Sequence, residues 1–400
     1  MMWQRVLATS AILLAAAIAV AADEAQPEAP GPYAQWENGP GKDASCFPLA
    51  VWAQEPRDAA AYKKAGINLY IGLEGPTDIA LAELKKAGMP VICEQNSGTL
   101  RHKDDSIIVG WMHADEPDNA QAVPGSKGYG PPVLPAKIIA EYEAYRKADP
   151  SRPVLLNLGR CVASDDLPDR DGRSHHPEDY PEYLKGCDIG SFDIYPVAHT
   201  SPPYAGKLDF VGRGVERLIK WTDGRKPIWN CMECTRIHGE DKPTPKQVKA
   251  EVWIGLVNGS QGIIYFCHQF LPREDDRALL DDAEMLAAVG AINTEVTELA
   301  PALNSPAVKD ALKVESSNAE VPLATMVKKQ GGATYVFAVT LKPGETQGVF
   351  TLEGLPAGAQ VEVLGEHRKI APVKGRFKDH FSSWDVHLYR IQPTAAEEPK

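Results

Sequence analysis

Residues 107–118 read Ile-Ile-Val-Gly-Trp-Met-His-Ala-Asp-Glu-Pro-Asp. The run opens as a buried strand: Ile107, Ile108, Val109 and Trp111 are apolar, with no polar alternation among them. Within four residues its character changes. His113, Asp115 and Glu116 arrive together, and Pro117, which has no N–H to give to a ladder, stops the strand. Carboxylates at the carboxyl end of an apolar strand point to a parallel α/β fold, where that end carries the chemistry. The stretch asks for a scaffold that brings a second carboxylate to face Glu116.

Working outward, seven more apolar runs have strand character: Phe47–Gln54, Ile67–Leu73, Met89–Glu94, Pro153–Leu158, Asp188–Val197, Lys226–Glu233 and Gly262–His268. Helical spacing falls between them. Asp78–Ala87 is closed by Gly88, Lys137–Lys147 carries Ile138, Tyr142 and Tyr145, and Phe210–Trp221 ends before Asp223-Gly224. Thr244-Pro-Lys-Gln247 has the form of a capping box with Pro at the first helical position, so a helix starts there and runs to about Leu256. A last amphipathic helix spans Leu279–Leu299. Eight strands alternating with helices predict an α/β fold, a (β/α)8 TIM barrel over residues 45–305. Between Glu94 and Ile107 there is room for a loop but not for an ordinary helix. From residue 306 the pattern changes to short alternating strands: Ala311–Val314, Leu323–Lys328, Thr334–Leu341, Gln347–Leu352, Gln360–Leu364 and Trp384–Ile391. These predict a small all-β antiparallel sandwich over 306–392, followed by a disordered tail, 393–400.

The N-terminus reads as a secretory signal over residues 1–22. Arg5 supplies the positive region, Ala8–Val20 the short apolar run, and Ala19-Val20-Ala21 the small-residue cleavage site. The run is too short for a membrane-spanning helix, so a secreted or periplasmic protein with no membrane span is expected. Residues 23–44, rich in Pro, Gly, Glu and Ala, read as a flexible leader. The composition, 44% hydrophobic and 24% charged, is that of a globular chain. A net charge of −12 argues against nucleic acid as a partner. Seven cysteines leave at least one unpaired, although Cys161 and Cys187 could bridge a long loop.

In a barrel of this kind the strand ends share one face. The candidate substrate-binding residues there are Trp52, Glu74, Asn96, His113, Asp115 and Asn157 from the first five strands. Asp193, Tyr195, His268 and Gln269 come from later ones. Bidentate polar groups among flat aromatic faces suit a carbohydrate substrate. Gly110-Trp111 followed by Asp115-Glu116-Pro117 resembles the acid/base motif of the clan A glycoside hydrolases. Lys226-Pro-Ile-Trp-Asn-Cys-Met-Glu233 is similar to their strand seven, and Phe192-Asp-Ile-Tyr-Pro196 to their strand six. The resemblance implies retaining hydrolysis of β-glycosidic bonds in a poly- or oligosaccharide, with Glu116 as acid/base and Glu233 as nucleophile touched by Tyr195. It also accommodates the C-terminal sandwich. Two positions depart from the clan pattern: Asp115 stands where many members have Asn, and Phe266-Cys-His268 where many end strand eight with Trp.

No cofactor and no metal are expected. His113 and His268 read as pocket histidines, and no His-x-His or His-Glu-x-x-His pattern completes a zinc site. Cys231 and Cys234 lack two further ligands. Asp165, Asp166, Asp169 and Asp171 match no calcium loop. Trp229 either stacks on sugar or fills the core. The alternative function is a non-catalytic carbohydrate-binding protein on a TIM-barrel scaffold, which would not need both Glu116 and Glu233.

Overall fold

The computed structural model describes residues 31–392 apart from 168–169, 171–175, 200–201, 203, 240 and 356–357. The expected signal and tail lie outside the described residues, as do Asp169 and Asp171. Eight parallel strands close into a barrel: β1 (Leu49–Trp52), β2 (Leu69–Leu73), β3 (Val91–Glu94), β4 (Ile108–Met112), β5 (Val154–Leu158), β6 (Ile189–Asp193), β7 (Ile228–Glu233) and β8 (Ile263–Phe266). Each pairs with its sequence neighbour, and β8 closes on β1. Helices α1 (Ala59–Lys64), α2 (Asp78–Ala87), α3 (Pro135–Ala148), α4 (Tyr180–Tyr183), α5 (Asp209–Trp221), α6 (Pro245–Val257) and α7 (Ala283–Leu303) accompany them. The third crossover holds only a 3-10 turn, Thr99–His102.

The helix ends follow their local chemistry. Thr77 caps α2 by accepting the Ala80 N–H, and Gly88 closes it in the left-handed region at φ 61°. Both halves of the Thr244/Gln247 capping box form at α6. Helix α6 is buried on nearly every side because it lies between barrel and sandwich, with the Trp253 ring 5.1 Å from Phe337.

One apolar cluster fills the barrel, drawing Ala50, Leu69, Ile92, Leu155, Ile189 and Ile264 from six of its strands. It also takes in Tyr33 and Trp36, 0% and 5% exposed. Residues 31–44 are therefore not a flexible leader. Within this Pro- and Gly-rich stretch two aromatic rings provide enough apolar surface to plug the amino-terminal end of the barrel. The Tyr33 hydroxyl donates to the Gln261 carbonyl (2.6 Å) and accepts from Trp229 Nε1 (2.7 Å). Trp229 thus fills the core. It stands where Gly262 has no side chain, since a Cβ there would lie 2.5 Å from the indole.

The C-terminal unit has two antiparallel sheets. Strands β9 (Leu312–Ser316), β12 (Thr346–Leu352) and β15 (Arg376–Phe381) form one. The other runs β10 (Leu323–Gln330), β11 (Ala333–Thr340), β16 (Val386–Ile391), β13 (Val361–Val363), β14 (Arg368–Ile370). Strands β14 and β15 were not expected. In β15 only Phe377, Asp379 and Phe381 turn inward, and the buried Asp379 takes two bonds from Arg368 and one from the Tyr389 hydroxyl. Among the described residues no helix is long and apolar enough to cross a membrane. No two of the seven cysteines are joined in a disulfide, Cys161 and Cys187 included.

Candidate active site

A cavity of about 550 Å³ opens at the carboxyl ends of the strands. Its floor holds three carboxyl groups, Asp115 and Glu116 from the end of β4 and Asp193 from the end of β6. Pro117 ends β4 as the sequence suggested, and Glu116 sits in the left-handed region at φ 44°, a conformation that costs energy for any residue with a Cβ. Its amide donates to the Asn157 carbonyl (3.2 Å), which fixes the turn to β5. Gly159 lies under its carboxylate, and a Cβ there would be 3.0 Å from Glu116 Oε1 and 2.5 Å from Asn119 Nδ2.

The three groups share their charge unequally. Glu116 forms an ion pair with Arg170, whose backbone N–H is held by Asn119 Oδ1. Asp193 is pushed well above the carboxylate range by burial and then by the charges of Glu116 and Asp115. Asp115 is raised to about 7 by burial and by Glu116, against a bond from Asn157 Nδ2 (2.9 Å). Behind them Asp118 is also raised to about 7, chiefly by burial, while accepting the Gly159 N–H.

Of the residues proposed from sequence, Trp52, Asp115, Glu116, Asp193, Tyr195 and His268 line this cavity. His268 is held by the Trp52 carbonyl and by Asp276. Glu74 and His113 line an adjoining cavity of about 270 Å³ that shares Trp52 and Asp115. His113 is pinned there, donating from Nε2 to the Gly186 carbonyl (2.8 Å) and stacking on Tyr145. Asn157 stands behind Asp115, bridging it to Ser191. Asn96 is a turn residue whose Oδ1 accepts the N–H groups of Gly98 and Thr99, and the Gln269 amide bonds the Arg273 carbonyl. Neither lines either cavity.

Glu233 requires a correction. The clan resemblance and its place at the end of a strand led us to expect Glu233 at the cavity. Instead it is fully buried outside the cavity lining, and its carboxylate accepts the backbone N–H groups of Val197 and Ala198, at 2.5 Å each. Burial raises it to about 7 despite those bonds. Glu251 of α6 is buried too, and is pushed well above the carboxylate range by burial and then by the Glu233 charge. At the last residue of a strand the side chain follows the nearest donors rather than the pleat.

The other wall is aromatic and was largely missed. Tyr195, Phe266, His268, Phe270, His238, His199 and Tyr204 form a continuous chain of ring contacts, each 5.0–6.3 Å between centroids. Several members sit on loops, where no periodicity marks them. Arg160 lies over the Tyr204 ring at 6.0 Å. His199 is lowered to about 4 by burial and then by Arg160 and His238, so it is neutral near pH 7. Among the described residues no group of three or more His, Cys, Asp or Glu side chains is placed to hold a metal ion.

No protein-family profile matches the chain, and no curated protein matches it in sequence. Solved structures do match in shape. A Bacteroides fragilis protein whose α-galactosidase activity is an assignment shares 10% identity at a TM-score of 0.50, over 87% of this chain and 80% of its own. The α-amylase of Geobacillus thermoleovorans (10% identity, TM-score 0.46) and a GH30 endoxylanase of Clostridium papyrosolvens (10%, 0.45) each cover 89% of this chain. The matches take in 100% and 98% of those two chains. At 10% identity the first of these likenesses shows a shared fold and nothing finer.

Proposed function

We propose that the chain is a glycoside hydrolase that cleaves glycosidic bonds of a poly- or oligosaccharide by double displacement, with Glu116 and Asp193 as its two carboxyl groups. The observation that carries the reading is that both line one aromatic-walled cavity, Glu116 paired with Arg170 and Asp193 raised well above the carboxylate range by burial. Asp193 is the general acid that protonates the leaving oxygen, and Glu116 attacks the anomeric carbon. Glu116 thus keeps its place from the clan resemblance but exchanges its role, and Asp193 replaces Glu233. The clan resemblance favours a retaining pair, whose carboxyl groups stand about 5–5.5 Å apart, over an inverting one at about 6.5–9.5 Å. Burial supplies the raised acid and the Arg170 pair the ionised nucleophile, the division of labour that two carboxylates need at one pH.

The clan resemblance favours β-linked substrates, and the N-terminal signal favours an exported protein. Both belong to this proposal. The test is a screen of purified protein against paired α- and β-aryl glycosides and a polysaccharide panel, with Asp193→Asn in parallel. Sugar release by wild type and its loss in the variant support the reading. Equal release by both removes Asp193 from the chemistry. Binding without release moves the assignment to a carbohydrate-binding protein.

A further inference from the structure

Two polar atoms in the cavity wall are buried without a hydrogen-bond partner among the described residues: the Tyr204 hydroxyl and Nδ1 of His199. Tyr204 is 1% exposed, and the two ring centroids lie 5.0 Å apart. Buried polar groups left unmet are few in folded chains, because each costs a desolvation that nothing returns. Two of them on neighbouring rings, in the wall of one cavity, point to a ligand group that completes both. Arg160, over the Tyr204 ring, already has a partner, so the open capacity is that of a phenol and an imidazole. The imidazole is neutral near pH 7. Burial raises the phenol despite Arg160, with Asp193 adding to the rise, so it keeps its proton. Nδ1 then accepts in one tautomer and donates in the other, while the phenol takes either role. A hydroxyl, which gives one bond and accepts another, completes the pair in both tautomers. A carboxylate or an ammonium does so in only one.

We infer that Tyr204 and His199 together hold one hydroxyl group of the substrate, which makes them specificity-determining residues of this cavity. The inference rests on the proposed carbohydrate site but not on its catalysis. The pair selects among sugars by the bonds left unmade: a sugar lacking that hydroxyl buries both atoms unmet.

The test is calorimetric binding of aryl glycosides of glucose, galactose, mannose and xylose, each set against its monodeoxy analogues, to wild type and to Tyr204→Phe. For a sugar that binds, one deoxy analogue is expected to bind wild type roughly tenfold more weakly than its parent. In Tyr204→Phe that parent and that analogue should bind about equally, while the other analogues keep their wild-type ratios. The Tyr204 hydroxyl has no partner in the described chain, so Tyr204→Phe should not lower the melting temperature, whereas loss of a structural hydroxyl would. Should the variant fail to fold, His199→Gln, which keeps a donor and an acceptor, is expected to retain part of the discrimination and His199→Phe to abolish it. Discrimination that is the same in wild type and Tyr204→Phe overturns the inference, and so does a series in which no single hydroxyl matters. Absence of binding by every sugar removes it together with the carbohydrate site. Turnover without this coupling would leave the hydrolase reading standing and sink this one. Coupling without turnover would do the reverse.

Discussion

Replacing Glu251 by Gln is expected to make stability less dependent on pH. In the folded chain Glu251 is buried beside the Glu233 charge and stays protonated well above the ordinary carboxylate range. In the unfolded chain it ionises near 4.5. A raised folded value means that its contribution is fully present below about pH 4.5 and is lost as pH rises toward the folded value. Across that window stability falls with rising pH by up to ~1.4 kcal/mol per pH unit. A Gln at 251 carries no proton to lose. Asp115 and Asp118 also titrate near 7, and they do so in both proteins. Glu233 titrates together with Glu251, so the difference between the proteins belongs to that pair. Urea unfolding of both proteins at pH 5 and 7 measures it, and the variant should gain on wild type over that interval. Parallel stability–pH curves would show that burial does not raise the Glu233–Glu251 pair.

Three further perturbations follow from the same geometry. Tyr195→Phe removes a hydroxyl that holds the Asp193 value down, so Asp193 should keep its proton to higher pH and the alkaline limb of the kcat profile should move upward. Gly159→Ala places a methyl group against Asn119 and Glu116; kcat should fall roughly tenfold to hundredfold, with circular dichroism and melting temperature little changed. Tyr33→Phe leaves the Gln261 carbonyl and the Trp229 N–H without their shared partner. Denaturant titration should register a loss of ~1–3 kcal/mol with activity unaltered.

The barrel was legible because each of its strands is an uninterrupted apolar run, and because Gly88 and the Thr244/Gln247 box punctuate helices by local chemistry alone. Glu116 was legible for a similar reason: a carboxylate next to a strand-ending proline has few structural explanations. Asp193 was visible as a site residue but not as the partner of Glu116, since that pairing depends on the turn between β4 and β5 and on burial. Glu233 misled because a motif and a strand end do not say which way the carboxylate turns; the N–H groups of Val197 and Ala198 hold it away from the cavity. The plug by Tyr33 and Trp36 is a tertiary event in a stretch whose composition reads as mobile. Strand β15 did carry a signal, the alternation Arg-Phe-Lys-Asp-His-Phe, but its buried Asp379 makes sense only with Arg368 and Tyr389 in place. His199, Tyr204, His238 and Phe270 come from loops, where a pattern in the letters gives no neighbour.

The central claim is that Glu116 attacks and Asp193 protonates. An activated 2-deoxy-2-fluoro glycoside of whichever sugar is turned over would trap the covalent intermediate, and mass spectrometry of the digested protein would locate it. The account predicts the label on Glu116, with Asp193→Asn still labelled, because an activated leaving group needs no general acid. A label on Glu233 would contradict it, placing the nucleophile on β7 and making the cavity seen here a different state of the site. A label on Asp193 would reverse the two roles.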